Sequence, residues 1–221
     1  MSPQLRSNLL IRAVRESELP DVERVVRIAF GTRMGFEDPA SFAAGSSWRS
    51  RWIAEPQGIF AAFDESATMI AAVYAITWGS FGFFGPLGVL PEHQGQGVAK
   101  LLLDPVMQFF AARHVKHEAL YTFSDSVQHV ALYQKFGYWP RFLTALMTKQ
   151  VDGAPNSVPK CERYSRLGAD ERAGFVRAAR ELTGGIYAGL DLDKEIQALD
   201  CLAVGDILFV EKDGKVQAFA V

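Results

Sequence analysis

The run Leu87-Gly-Val-Leu-Pro-Glu-His-Gln-Gly95-Gln-Gly97-Val-Ala-Lys100 constrains the fold more than any other part of the chain. An apolar segment ending at Val89 passes through a glycine-punctuated turn straight into a stretch with helical spacing, so a buried strand hands over to a helix within a few residues. Such a junction aims the first amides of the helix, and its positive end, at the turn. Gly95 and Gly97 have no Cβ to hold a ligand away, so the amides from Gly95 to Lys100 are expected to converge on one oxyanion, and a pyrophosphate suits that cradle. An ordinary strand-to-helix turn is the competing reading of the glycines taken alone. Spacing excludes two other phosphate loops: there is no Gly-x-x-x-x-Gly-Lys-Ser/Thr, and no Gly-x-Gly-x-x-Gly with an acidic residue about 20 positions on.

The spacing Gln94-x-x-Gly97-x-Ala99 resembles the acyl-CoA pyrophosphate loop of the GNAT superfamily of N-acetyltransferases, Arg/Gln-x-x-Gly-x-Gly/Ala. A second segment, Ser126-Val-Gln-His-Val-Ala-Leu-Tyr133-Gln-Lys-Phe-Gly137-Tyr138, is similar to that family's Asn-x-x-Ala-x-x-Leu-Tyr-x-Lys-x-Gly-Phe helix. Both motifs, in this order and at this separation, are far more specific than either one. The resemblance implies an α/β fold with a central mixed, mostly antiparallel sheet flanked by helices, and acetyl-CoA as co-substrate. It further implies that Leu87, Gly88 and Val89 pair with the pantetheine arm as an added strand would. Gln94, Gly95, Gln96, Gly97, Val98, Ala99 and Lys100 would hold the pyrophosphate. Gly88 would either permit close approach of that arm or mark a bulge in the strand.

By the same resemblance Tyr133 protonates the departing CoA thiolate. A phenol suits that task, because its ordinary pKa of about 10 keeps it protonated at neutral pH; the plainer reading is a tyrosine packed on an apolar helix face. Ser126 stands where the family commonly has asparagine, and its hydroxyl retains only part of an amide's hydrogen-bonding capacity. The segment Phe81–Val89 contains no Glu or Asp, although many relatives carry a glutamate there. Glu92, His93, Asp125 and His129 lie near the motifs, and none is assigned as base. The reaction implied is acetyl transfer to a primary amine of a small molecule or peptide, by direct attack in a ternary complex. A non-catalytic acyl-CoA-binding sensor or scaffold is the rival.

Composition narrows the partners. Across 221 residues, 49% are hydrophobic, 22% are charged and the net charge is −2, so no electrostatic attraction to nucleic acid or to an anionic membrane surface is expected. Cys161 and Cys201 match neither a zinc spacing nor a disulfide framework, and His114 with His117 lacks a neighbouring ligand set, so no metal is expected. A reducing cytoplasm is the simplest compartment, and the polar start Met1–Ser7 shows no export signal. The protein is expected to act as a monomer or homodimer. The uncharged run Ser66–Pro91 is long enough to span a bilayer, yet Gly79, Gly82, Gly85, Pro86 and Gly88 interrupt it and its aromatic and β-branched residues favour two buried strands joined near Gly79-Ser80. Trp78, Phe81, Phe83 and Phe84 there would line partly the core and partly an acceptor cleft.

Elsewhere the pattern reads as strand 9–14, a helix opening near Pro20 and ending at Gly31, helix 39–54, and a hairpin of 59–63 with 69–78. After the glycine loop come a helix kinked by Pro105, strand 117–123, helix 126–136 and a closing strand 143–151. Residues 1–151 thus form one domain, and the turn-rich segment 152–162 a linker. In residues 163–221 a strand, helix 170–182, helix 186–201 and a hairpin turning at Lys212–Lys215 repeat the order of residues 9–78. That is either a partial second repeat without a CoA loop or an unrelated helical extension.

Overall fold

A computed structural model describes residues 9–44, 48–144, 147, 150, 161–202 and 205–221. Strands β1 (Leu10–Ala13), β2 (Ile59–Phe63), β3 (Met69–Trp78), β4 (Phe81–Val89) and β5 (His117–Ala119) form one sheet in sequence order. The first four pair antiparallel and β5 runs parallel to β4, which is the mixed, mostly antiparallel sheet expected. Helices α1 (Leu19–Arg33) and α2 (Arg49–Ala54) precede β2, α3 (Val98–Ala112) follows β4, and α4 (Val127–Gln134) follows β5.

The alternation of a strand sorts the core into two layers. Ala71, Val73 and Ala75 of β3 pack with Leu102, Val106 and Phe110 of α3, while Ala72 and Tyr74 pack with Val22, Val25 and Val26 of α1. The run that is long enough for a bilayer is therefore the hairpin of two central strands, covered on both faces. Among the described residues no helix is long and apolar enough to cross a membrane.

One helix boundary differs from the sequence reading for a steric reason. Helix α1 passes through Gly31, where a Cβ would lie 2.2 Å from the carbonyl oxygen of Pro39. That glycine admits a crossing segment rather than ending the helix. Helix α3 keeps Pro105 in its interior and runs to Ala112. Between α1 and α2 the described residues form only a 3-10 turn, Pro39–Ser41, where the start of a longer helix was expected. The strand expected over 117–123 pairs only to Ala119. Of the closing strand over 143–151, Leu143 and Thr144 are not in a strand, and 145, 146, 148, 149 and 151 lie outside the described residues, as do linker positions 152–160.

The chain continues with β6 (Glu162–Arg163), α5 (Ala169–Gly184), α6 (Asp193–Leu202), β7 (Leu208–Lys212) and β8 (Lys215–Ala220). These strands form a second sheet, ordered β6-β7-β8, whose core joins Phe175 and Ala179 of α5 to Ile196 of α6 and Phe209 of β7. Helix α6 starts at Asp193, later than expected, because residues 188–191 are drawn onto the turn between β3 and β4. The Ser80 amide donates to Gly189 O (2.8 Å) and the Asp191 amide to Trp78 O (3.4 Å).

An ion pair staples β1 to the start of α1. Arg12 donates to both carboxylate oxygens of Glu18 (2.8 and 2.6 Å), which also accept the Arg15 amide (2.8 Å). These bonds, that from Arg12 foremost, hold the Glu18 carboxyl at about 2 against an ordinary 4.5. The unfolded chain therefore takes up this proton first, so the stabilisation is complete above pH 4.5 and is lost as pH falls toward 2. Glu18→Gln is expected to be less stable at neutral pH and to show a shallower acid dependence in denaturant unfolding. Equal slopes for the two proteins would contradict this.

Candidate functional site

The sheet opens where β4 and β5 part. Their parallel pairing covers Phe81–Phe83 against His117–Ala119, and beyond it, among the described residues, β4 is paired only on its β3 side, Leu87, Gly88 and Val89 opposite Val73, Ala72 and Ala71. A bulge precedes this half, since Gly85 and Pro86 together face Tyr74 across the β3 pairing. Proline donates no ladder bond and glycine tolerates the φ of +130° at position 85, so both residue types suit a bulge. Gly88 itself is in regular register. Its bare side faces α1, where a Cβ would lie 3.1 Å from Val26 Cα and 3.2 Å from Ala29 Cβ. The close approach that needs glycine there is that of the helix.

The turn after β4 is built to leave amides open. Gly95 and Gly97 are left-handed (φ +71° and +82°), and beyond the chain neighbours no atom of the described residues lies within 4 Å of where a Cβ on either would be. Gly97 caps α3, and the first amides to donate into the helix are those of Lys100 and Leu101, both to Gly97 O. The amides of Val98 and Ala99 precede them at the positive end of a 15-residue helix. Two glutamines brace the turn: Gln94 Nε2 donates to Val89 O (2.9 Å) and Gln96 Nε2 to Glu92 O (2.9 Å). Gln94 thus ties the loop to the end of β4. Lys100 is exposed beside the loop.

Helix α4 forms the opposite side. Its Tyr133 ring meets Phe84 of β4 edge-on at 5.7 Å, within the cluster that also holds Leu87 and Ala99. Burial pushes the Tyr133 hydroxyl up to about 12, so it is fully protonated at neutral pH. Ser126 is the N-cap of α4 but makes no side-chain capping bond. The structure thus packs Tyr133, Leu87 at the end of β4 and Ala99 in the first turn of α3 onto one cluster.

On the other face of the sheet lies an aromatic wall. Trp78 stacks on Phe81 and Phe83 at 6.2 and 5.6 Å, and Phe83 meets Tyr121 at 5.4 Å just beyond the point where β4 and β5 part. Phe84, one residue on, turns into the α3 layer and is buried, as alternation requires. Phe30 and Phe42 stack at 5.7 Å, and Phe30 lies 6.2 Å from Phe123. Arg33 sits over Phe123 and pairs with Asp125 at 2.7 Å, joining the end of α1 to the loop before α4. Sequence spacing gave no sign of that bridge, because its partners are far apart in the chain. Among the described residues no group of His, Cys, Asp and Glu could hold a metal ion.

The profile of the "Acetyltransferase (GNAT) family" matches residues 22–138, just over half of the 221-residue chain. Among solved structures, a candidate acetyltransferase from Pyrococcus horikoshii has a similar fold, with a TM-score of 0.63, 15% identity, 91% of this chain covered and 64% of that one. The present chain therefore spans less than two thirds of that protein's length. A second Pyrococcus horikoshii protein, from strain OT3, aligns at a TM-score of 0.52 and 15% identity, over 62% of this chain and 92% of its own. No curated protein matches the sequence.

Proposed function

The chain belongs to the acetyltransferase (GNAT) family, and on that premise we propose that it moves an acetyl group from acetyl-CoA to the primary amine of a small molecule with an apolar or aromatic body. The observation that carries this reading is the left-handed pair Gly95 and Gly97, open on the side where a Cβ would stand, at the N-terminus of α3 and beside the half of β4 that, among the described residues, has only one partner strand. An oxyanion fits the amides of Val98 and Ala99 there, and the backbone of Leu87–Val89 offers an edge to an extended arm. Tyr133, kept protonated by burial, would give its proton to a sulfur that develops negative charge. Trp78, Phe83 and Tyr121 form the wall an apolar acceptor would pack on.

In this reading the amine attacks the thioester directly. Cys161 and Cys201 are unpaired and lie outside the site, so no acyl-cysteine intermediate is invoked. Their free state also suits a reducing compartment. Residues 163–221 are read as a partial second repeat, supported by the order strand, helix, helix, hairpin that β6, α5, α6, β7 and β8 share with β1, α1, α2, β2 and β3.

The test is release of free CoA thiol from acetyl-CoA, followed with a panel of aliphatic and aromatic amines. Amine-dependent release is expected. Binding of acetyl-CoA with no release on any amine would contradict the transferase reading and favour an acyl-CoA sensor or scaffold.

A further inference from the structure

Transfer of an acetyl group leaves one proton to be removed from the attacking nitrogen, and β4 carries no ionisable side chain to take it. Four groups flank the motifs. Glu92 and His93 belong to the 3-10 turn that leads into the glycine loop, on the side assigned to phosphate. Asp125 is exposed and bound by Arg33 at 2.7 Å, which holds its carboxyl below the ordinary range and makes it a weak base. His129 differs from all three. It is half-buried on α4 exactly one helical step of four from Tyr133, so the two side chains lie on one face with their Cβ atoms about 5–6 Å apart. The helix pattern that this segment resembles has alanine at that position, so the imidazole is a feature of this chain.

We propose that His129 accepts the proton of the acceptor nitrogen, directly or through one water, and that it works with Tyr133 as a pair. This rests on the transferase reading above. The neutral amine forms a C–N bond at the thioester carbon, the C–S bond breaks, and Tyr133 gives its proton to the departing sulfur. The nitrogen loses one proton to the His129 imidazole, and the imidazolium returns a proton across the helix turn to the Tyr133 phenolate. Amine and acetyl-CoA become amide and CoA thiol, and both side chains regain their starting states. Burial is the main cause that lowers the His129 pKa, the Arg33 guanidinium of α1 adds to it, and the Asp125 carboxylate opposes it; the imidazole is therefore neutral, and able to accept, at neutral pH.

His129→Ala is the first variant, since alanine suits the interior of a helix and the fold should survive. The kinetic test uses the weakest-base amine that the wild type acetylates, so that the amine's own ionisation does not create the acid limb. The expected loss in kcat is about a hundredfold or more, with the acid limb of the pH profile abolished, partial rescue by added imidazole, and acetyl-CoA affinity by calorimetry unchanged. Independently, the His129 imidazole in the ligand-free protein should titrate below 6.5 by NMR. A His129→Ala enzyme with kcat within twofold of wild type, or with the same acid limb, overturns the proposal while leaving the transferase reading intact. So does an imidazole that is charged at neutral pH. A wild-type protein that binds acetyl-CoA but acetylates no amine overturns both.

Discussion

Tyr133→Phe is expected to lower kcat by about a hundredfold to ten-thousandfold, the range that a well-placed general acid supplies, while leaving the affinity for acetyl-CoA close to wild type. The phenylalanine ring keeps the edge-on contact with Phe84 and removes only the hydroxyl, so a folding defect is not part of the expectation. With the hydroxyl held near 12, the wild-type enzyme should show no loss of activity from Tyr133 ionisation in the neutral range. Steady-state kinetics together with calorimetry separate the two quantities. A variant with wild-type kcat would reduce Tyr133 to packing, and a variant that lost acetyl-CoA binding would make the hydroxyl a ligand contact rather than an acid.

The second large effect is on stability, and it comes from the contact between the two sheets' flanking helices. Glu55, at the end of α2, is only 6% exposed, and its carboxylate accepts from Lys194 of α6 and from Thr77 Oγ1 (2.9 Å), with Arg113 of α3 at 3.6 Å. Lys194 also donates to Thr77 Oγ1 (2.8 Å). Lys194→Met leaves a buried carboxylate with a single, more distant cation, which should cost about 3 kcal/mol, the low end for breaking a buried pair because Arg113 stays in reach. For a chain of this size that is a drop in Tm of roughly 6–12 °C. The double variant Glu55→Leu with Lys194→Met should recover much of the loss, because no charge is then buried. An unchanged Tm for Lys194→Met would mean that the pair adds nothing net.

The central sheet and the glycine turn that leads into α3 were legible in the sequence wherever local chemistry decides the outcome. Strands β2, β3 and β4, the turn at Gly79-Ser80 and the handover into α3 follow from apolar runs, glycine placement and helical spacing, all of which act over a few residues. The readings that failed are those that distant contacts decide. Gly31 looks like a helix stop until Pro39 is seen crossing it, and a bulge that the glycine at 88 could have marked lies instead at Gly85-Pro86. Residues 186–192 have a helical pattern, but hydrogen bonds to Trp78 and Ser80 hold part of this stretch against the β3–β4 turn instead. The Arg33–Asp125 bridge and the Lys194–Glu55–Thr77 network join positions that no periodicity links. His129 was visible as a residue near the motif; what singled it out was its half-buried place beside that bridge and on the Tyr133 face of α4.

The most direct test of the acyl-CoA site is calorimetric titration of acetyl-CoA into the wild-type chain, Gly97→Ala and Gly97→Trp. At φ +82° any side chain strains the backbone by about 1–2 kcal/mol, so Gly97→Ala introduces that strain alone and Gly97→Trp adds bulk to the turn, where a Cβ on Gly97 would meet no described atom within 4 Å beyond its chain neighbours. The account predicts a saturable heat for the wild type, weakened binding for Gly97→Ala, and none for a folded Gly97→Trp. A folded wild-type protein that gives no heat, or a Gly97→Trp protein that binds as tightly as wild type, would contradict the site.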